Sequence, residues 1–128
     1  MKKEFKLYVC KHCGNIIEKV VDKGVPVICC GEPMKELEAN TSDGALEKHV
    51  PEVEVSKNTV KVVVGAVEHP MLEAHHIAWV VLVTDAGVYR KDLAVDGAPK
   101  AEFLLSEGET PSAVYEYCNL HGLWKKDI

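Results

Sequence analysis

The sequence predicts an all-β protein: a small metal-stapled module over residues 1–38, followed by an antiparallel sandwich or barrel over residues 39–128. Three observations carry this expectation. Short runs rich in β-branched residues recur with turn residues between them, no sustained amphipathic helical period interrupts them, and four of the five cysteines fall in the first module.

In chain order, Leu7-Tyr8-Val9, Ile16-Ile17 and Val25 to Ile28 read as strands of small hairpins closed around the cysteines, with Gly14-Asn15 and Lys23-Gly24 as their turns. The polar stretch Ala39 to Gly44 marks the boundary. Ser42 or Asp43 is suited to cap one helical turn through Ala45, Leu46 and Glu47, which Pro51 stops. The remaining strands are expected at Val53–Val55, Val60–Val67, Ile77–Thr84, Val88–Val95, Ala101–Leu105 and Ala113–Tyr117, separated by Asn, Gly, Pro and Asp clusters.

At 128 residues the chain has room for one modest core plus an appended piece too small to be secure without a metal. Hydrophobic residues make up 47% and charged residues 27%, which excludes disorder as the dominant state. The formal net charge of -5 and the lack of any Lys/Arg block argue against a nucleic-acid partner, and an anionic substrate would need a local positive group. No apolar run is long enough to span a bilayer, and only Leu7, Tyr8 and Val9 lie between the basic start and Cys10, so neither a membrane partner nor a secretory leader is expected. A cytoplasmic location follows as the expectation. In that reducing compartment cysteines serve as metal ligands more often than as disulfides.

Cys10 and Cys13 on a tight turn bring two thiolates within reach of one ion, and Cys29 with Cys30 would complete a sulfur tetrahedron. Adjacent residues of an extended chain point to opposite faces, so Cys29 and Cys30 share a metal only through a sharp bend, and a distorted tetrahedron is expected. The residues alone leave iron and zinc open, as well as a vicinal disulfide beside a redox pair. His12 reads as a solvent-facing turn residue.

His49, His69, His75 and His121 with Cys118 form a second constellation. Four imidazoles and a thiolate exceed the four ligands of a closed structural zinc site and suit iron or copper, with one octahedral position left open. Cys118 and His121 are spaced as a ligand turn, and His69 before Pro70 is biased to extended backbone. Successive side chains of a strand alternate, so of His75 and His76 only one faces the metal; His75 is the expected ligand and His76 a surface or outer residue. Trp79 and Trp124 are expected in the core or the site wall.

Cys10-x-x-Cys13, Cys29-Cys30, Glu47-Lys48-His49-Val50-Pro51, His69-Pro70-Met71 through His75, and Cys118-Asn119-Leu120-His121-Gly122 together resemble desulfoferrodoxin, the two-iron form of superoxide reductase, over nearly the whole chain. The resemblance implies a desulforedoxin-like domain ahead of an immunoglobulin-like β-sandwich. It further implies two iron ions per chain, one held by Cys10, Cys13, Cys29 and Cys30, the other by His49, His69, His75 and His121 in a square plane with Cys118 axial. His76 stands where the family often has an aromatic residue.

The implied reaction is reduction of superoxide by one electron, with uptake of two protons, to hydrogen peroxide at a ferrous centre whose open position lies opposite Cys118. By the same resemblance Lys48 draws the anion in and orders water for proton delivery, and Glu47 occupies the vacant ferric position after product leaves. A rubredoxin or similar small carrier would re-reduce the site, and a homodimer is expected. The sequence itself carries no flavin or nicotinamide fingerprint.

Overall fold

Glu4–Glu38 and Ala39–Ile128 form two separate compact units in the computed structural model, which describes residues 4–41, 46–65 and 69–128, without the side chains of Leu46 and Glu47. In the first unit, β1 (Leu7–Val9) pairs antiparallel with β2 (Ile16–Glu18) on one side and with β5 (Lys35–Glu36) on the other. A separate hairpin joins β3 (Ile28–Cys29) to β4 (Glu32–Pro33). Its buried apolar residues, Leu7, Cys10 and Met34, include one of the thiols. So small a core supplies little stability of its own, and a metal bound to the thiols would contribute to holding it folded.

The strand expected over Val25–Ile28 is corrected: only Ile28 of that run enters a strand, and Val25 and Val27 are exposed. The preceding loop is tied instead by Asp22, which accepts from Gly24 N–H at 2.8 Å and from Tyr8 O–H at 3.3 Å, and pairs with Lys6 and Lys19. Polar closure of a turn has overridden β propensity here.

The second unit opens with one helical turn, α1 (Leu46–His49), ended by Pro51. The caps expected at Ser42 or Asp43 lie outside the described residues. Two sheets follow. β6 (Pro51–Ser56), β7 (Thr59–Val64) and β10 (Lys100–Leu104) form a three-stranded sheet in the order β10-β7-β6. β8 (Ile77–Thr84), β9 (Val88–Asp92), β11 (Pro111–Cys118) and β12 (Gly122–Asp127) form a four-stranded sheet in the order β12-β11-β8-β9. All pairings are antiparallel.

Between the sheets, Val60, Val62 and Val64 of β7 meet Ile77, Val80 and Leu82 of β8, with Phe103, Leu105, Val114 and Cys118 completing the core. This is the sandwich that alternation along β7 specifies. Along β8 the spacing is irregular because β11 skips Ala78, pairing Tyr117 with Trp79 and then Cys118 with Ile77. The bulge lets Ile77 and Val80 both face the core although they are three residues apart.

Two runs end earlier than expected, and one strand is additional. The run from Val60 ends at Val64, with Val67 outside the described residues, and the run from Val88 ends at Asp92. Beyond Asp92, Leu93 N–H donates to the bulged Ala78 and a turn closes by Gly97 N–H to the Ala94 carbonyl at 3.0 Å, so no ladder continues. β12 was not expected, since Lys125-Lys126 break its apolar run, but Leu123 and Trp124 are buried and its outer edge is covered by Asn40. Asn40 donates to Leu123 and Lys125 carbonyls and accepts from Lys125 N–H, standing in for a missing neighbour strand.

Candidate metal centres

The four-cysteine site is built from two tight turns. After β1, Gly14 N–H donates to the Cys10 carbonyl at 3.0 Å and Cys10 N–H to the Asn15 carbonyl at 2.9 Å, with Gly14 at φ 83°. The chain thereby folds back over Cys10, and Cys13 N–H donates to its sulfur at 3.5 Å.

At the second pair the expected bend is found at Cys30 and Gly31, whose φ values are 52° and 79°. Two consecutive left-handed residues make a two-residue hairpin turn, and glycine accepts that conformation without the strain it imposes on Cys30. Donor atoms of Cys10, Cys13, Cys29 and Cys30 all lie within 4.8 Å of one another. All five cysteines are free thiols.

Backbone N–H donation from Cys13 holds the Cys10 thiol down to about 6, while crowding by the neighbouring sulfurs pushes Cys29 up and Cys30 up to about 12. Such a set cannot carry four thiolates by itself; a cation at its centre fits the chemistry. His12 stays exposed and pairs with Glu32 at 3.2 Å.

The second site collects residues from three connections at one end of the sandwich: His49 ends α1, His69 and His75 both lie between β7 and β8, and Cys118 and His121 flank the turn from β11 to β12. The ring centroids of His49, His69, His75 and His121 are separated in that cyclic order by 4.7, 4.6, 5.1 and 4.8 Å, and the His49–His75 diagonal is 6.4 Å. The imidazoles therefore stand at the corners of a near-square, each at a steep angle to its neighbours. Cys118 Sγ lies 3.5 Å from His69 Nε2 and 3.8 Å from His121 Nδ1, and within 4.8 Å of the donor atoms of His49 and His75. The sulfur is thus near every corner and can act as a fifth donor to the point the rings surround.

Several ring nitrogens are committed by their surroundings. His69 Nδ1 lies 2.7 Å from the Pro70 carbonyl, which fixes its proton there and leaves the Nε2 lone pair to the site. His49 Nε2 is 3.1 Å from both His69 Nε2 and His121 Nδ1, so His121 faces inward through its other nitrogen. His75 Nε2 is buried without a hydrogen-bond partner among the described residues. Burial holds His69 down to about 4 and lowers His75, with the charge of Lys48 contributing at His75. Burial raises Cys118, opposed by N–H donation from Leu120 and His121. Lone pairs converging on one point without protons between them fit a metal ion.

Lys48 is exposed beside His49 and near enough to disfavour a proton on His75. The side chain of Glu47 lies outside the described residues. His76 turns away, its Nδ1 3.0 Å from the Leu72 carbonyl. Trp79 stacks on Tyr117, and Trp124 is buried against His49. Two residues near the site were not singled out from the sequence. Glu116, two residues before Cys118, is fully buried with no partner for either oxygen among the described residues, and burial pushes it up to about 9. Asn119 bonds the loop that carries His75; its place between Cys118 and His121 was the only available hint.

Residues 41–127 match the family model described as desulfoferrodoxin, and residues 2–37 match that of the desulfoferrodoxin N-terminal domain. The chain belongs to the desulfoferrodoxin family. It is 48% identical to the desulfoferrodoxin of Nitratidesulfovibrio vulgaris over 99% of both chains, and 43% identical to a desulfoferrodoxin homolog of Archaeoglobus fulgidus over 98% of both. Among solved structures, the superoxide reductase of Treponema pallidum is 39% identical with a TM-score of 0.82, covering 98% of this chain and 100% of its own. The one-iron superoxide reductase of Giardia intestinalis is 34% identical with a TM-score of 0.51, covering 64% of this chain and 97% of its own. A one-iron relative of that extent leaves about a third of this family member unmatched.

Proposed function

We propose that this protein is a superoxide reductase, converting superoxide, one electron and two protons into hydrogen peroxide. The observation that carries the reading is the square of His49, His69, His75 and His121 with the Cys118 sulfur close to every corner. No carboxylate or further thiol joins these donors among the described residues, and an ion with five protein donors would keep a position for a small ligand. Iron held there would supply a one-electron couple at a position open to a small anion.

The chain's own groups account for the rest. Lys48, exposed at the end of α1, offers an anionic substrate the local positive charge that a net charge of -5 otherwise denies it, and it is the proposed source of ordered water for protonation. Glu47 is assigned to the position opposite Cys118 after product leaves. The Leu120 and His121 amides donate to the Cys118 sulfur and so moderate how much electron density it gives the site. Trp124 and the buried faces of His49 and His69 keep water from that side.

Cys10, Cys13, Cys29 and Cys30 are assigned to a second iron, in a domain of residues 1–38 that precedes the catalytic domain of residues 39–128. Each turnover consumes one electron, so an external donor is required; a rubredoxin-like carrier is proposed. A homodimer is proposed too, supported by exposed apolar side chains on the first unit: Val20, Val21 and Val25 are 75%, 68% and 69% exposed. A cytoplasmic location is in keeping with five unpaired cysteines. No helix among the described residues is long and apolar enough to cross a membrane.

The test is stoichiometric. Iron-loaded protein with a continuous electron donor should form one hydrogen peroxide per superoxide and no dioxygen. Equal peroxide and dioxygen without a donor would make it a dismutase, and unchanged superoxide decay would overturn the enzymatic reading.

A further inference from the structure

Among the described residues the buried Nε2 of His75 has no hydrogen-bond partner, so the direction of this imidazole follows from the rings beside it and from the backbone that carries it. That backbone is a tight turn, closed by Leu72 N–H to the His75 carbonyl at 2.9 Å and His75 N–H to the Leu72 carbonyl at 3.0 Å. Met71 before the turn packs on the core and accepts from Ile77 N–H at 3.4 Å, while Asn119 ties the turn to the β11–β12 connection. Asn119 Nδ2 donates to the Ala74 carbonyl at 3.1 Å, its Oδ1 accepts from His76 N–H at 2.8 Å, and its own N–H donates to the His76 carbonyl at 3.1 Å. A single side-chain amide thus bonds the residue on each side of His75, as a peptide of a neighbouring strand would. Asn119 is also joined covalently to Cys118, whose sulfur receives the next two amides of the same loop.

We propose that Asn119 is a positioning residue of the candidate iron site, fixing the His75 imidazole relative to the Cys118 sulfur. One short loop, residues 118–121, then controls three of the five donors: it contains Cys118 and His121 and aims His75 through Asn119. The chemistry demands this side chain. Bridging a carbonyl and an N–H across one residue takes a donor and an acceptor in a planar group, which aspartate and serine do not offer. Without the bridge, the 72–75 turn keeps its internal bonds but loses its registration on β11. Distances between ligands, rather than the fold, should change.

The assignment rests on reading the five donors as an iron site, and a double-mutant cycle tests it. Ferrous iron affinity of the histidine and cysteine site is measured by chelator competition in the full-length parent, Asn119→Ala, His75→Ala and the double variant. Outer partners of metal ligands typically govern affinity by about 10–100-fold. Asn119→Ala should weaken binding by about that factor in the parent background, and by no more than about twofold where His75 is already gone. Equal losses in both backgrounds, or none in the parent, would overturn the assignment.

The electron paramagnetic resonance spectrum of the ferric site gives an independent readout should His75→Ala fold poorly. Asn119→Ala should change its rhombicity while the absorption of the four-cysteine centre stays as in the parent, and an unchanged spectrum counts against the proposal. A parent that takes up no iron at the histidine site would overturn both the functional reading and this assignment. A parent loaded at both sites, with Asn119→Ala indistinguishable from it, overturns the assignment alone.

Discussion

The indole of Trp124 stacks on the imidazole of His49, with ring centroids 4.8 Å apart and 22° between planes, while its N–H donates to the His121 carbonyl at 3.1 Å. One buried side chain of β12 therefore braces two neighbouring corners of the histidine square, one through ring packing and one through the backbone.

Trp124→Phe should retain the packing and lose the hydrogen bond, costing about 1 kcal/mol of stability with a modest fall in iron affinity. Trp124→Ala should cost about 3–5 kcal/mol through the cavity it leaves. Thermal melts with iron quantified per chain check both; a Phe variant as damaged as the Ala variant would mean that the N–H bond, not the stack, matters most.

Lys48 acts through charge in the proposed reaction, so Lys48→Ala should lower the second-order rate with superoxide by about tenfold, within the range of electrostatic steering. The parent rate should fall with added salt and the variant rate should not. Lys48→Arg should retain most of the rate. Stopped-flow or pulse-radiolysis traces at two ionic strengths decide it, and a salt response that survives in Lys48→Ala would place the attraction elsewhere.

Metal removal should affect the two units differently. Glu4–Glu38 has few buried apolar residues beyond Leu7, Cys10 and Met34, whereas the sandwich closes around ten core residues from Val60 to Cys118. Chelation, or Cys10→Ser, should unfold the first unit while leaving the β-sheet signal of the sandwich. Amide exchange resolved by segment would register this, and equal loss of protection in both units would sink it.

Glu109 accepts from Tyr89 O–H at 2.7 Å, from Ser106 N–H at 3.2 Å and from Thr84 Oγ1, and these bonds hold its carboxyl below the ordinary value of 4.5. A carboxyl depressed in the folded state contributes stability that is complete above the unfolded value and disappears as pH falls through the lowered one. Glu109→Gln should therefore melt below the parent at pH 7, and the gap should close below about pH 4. Melting curves across pH 3 to 8 test this; a gap independent of pH would show that the amide replaces every bond.

Much of the architecture was legible because it rests on local chemistry. The run Ile77–Thr84 is a strand with those limits, since a continuous apolar run bounded by polar turns has few alternatives. Val60, Val62 and Val64 alternate inward as the period of two requires. Less legible were segments whose state depends on distant partners. β12 exists because β11 pairs with it and Asn40 covers its far edge, while Val25 and Val27 leave the ladder because Asp22 closes the preceding loop by polar bonds.

By itself the sequence determined the all-β class and the two sets of candidate metal ligands, because ligand type and turn spacing are written in the order of residues. It also posed a question it could not answer, how adjacent Cys29 and Cys30 face one point. Tertiary structure decided that through left-handed backbone at Cys30 and Gly31. It likewise decided the square of His49, His69, His75 and His121, the approach of the Cys118 sulfur to it, the Trp124 brace and the Asn119 bridge. These join residues up to 75 positions apart in the chain, as His49 and Trp124 are. Distances of that kind arise only when two sheets pack and their connecting loops meet at one end, where the geometry of the whole sandwich, rather than any local preference, sets which atoms touch.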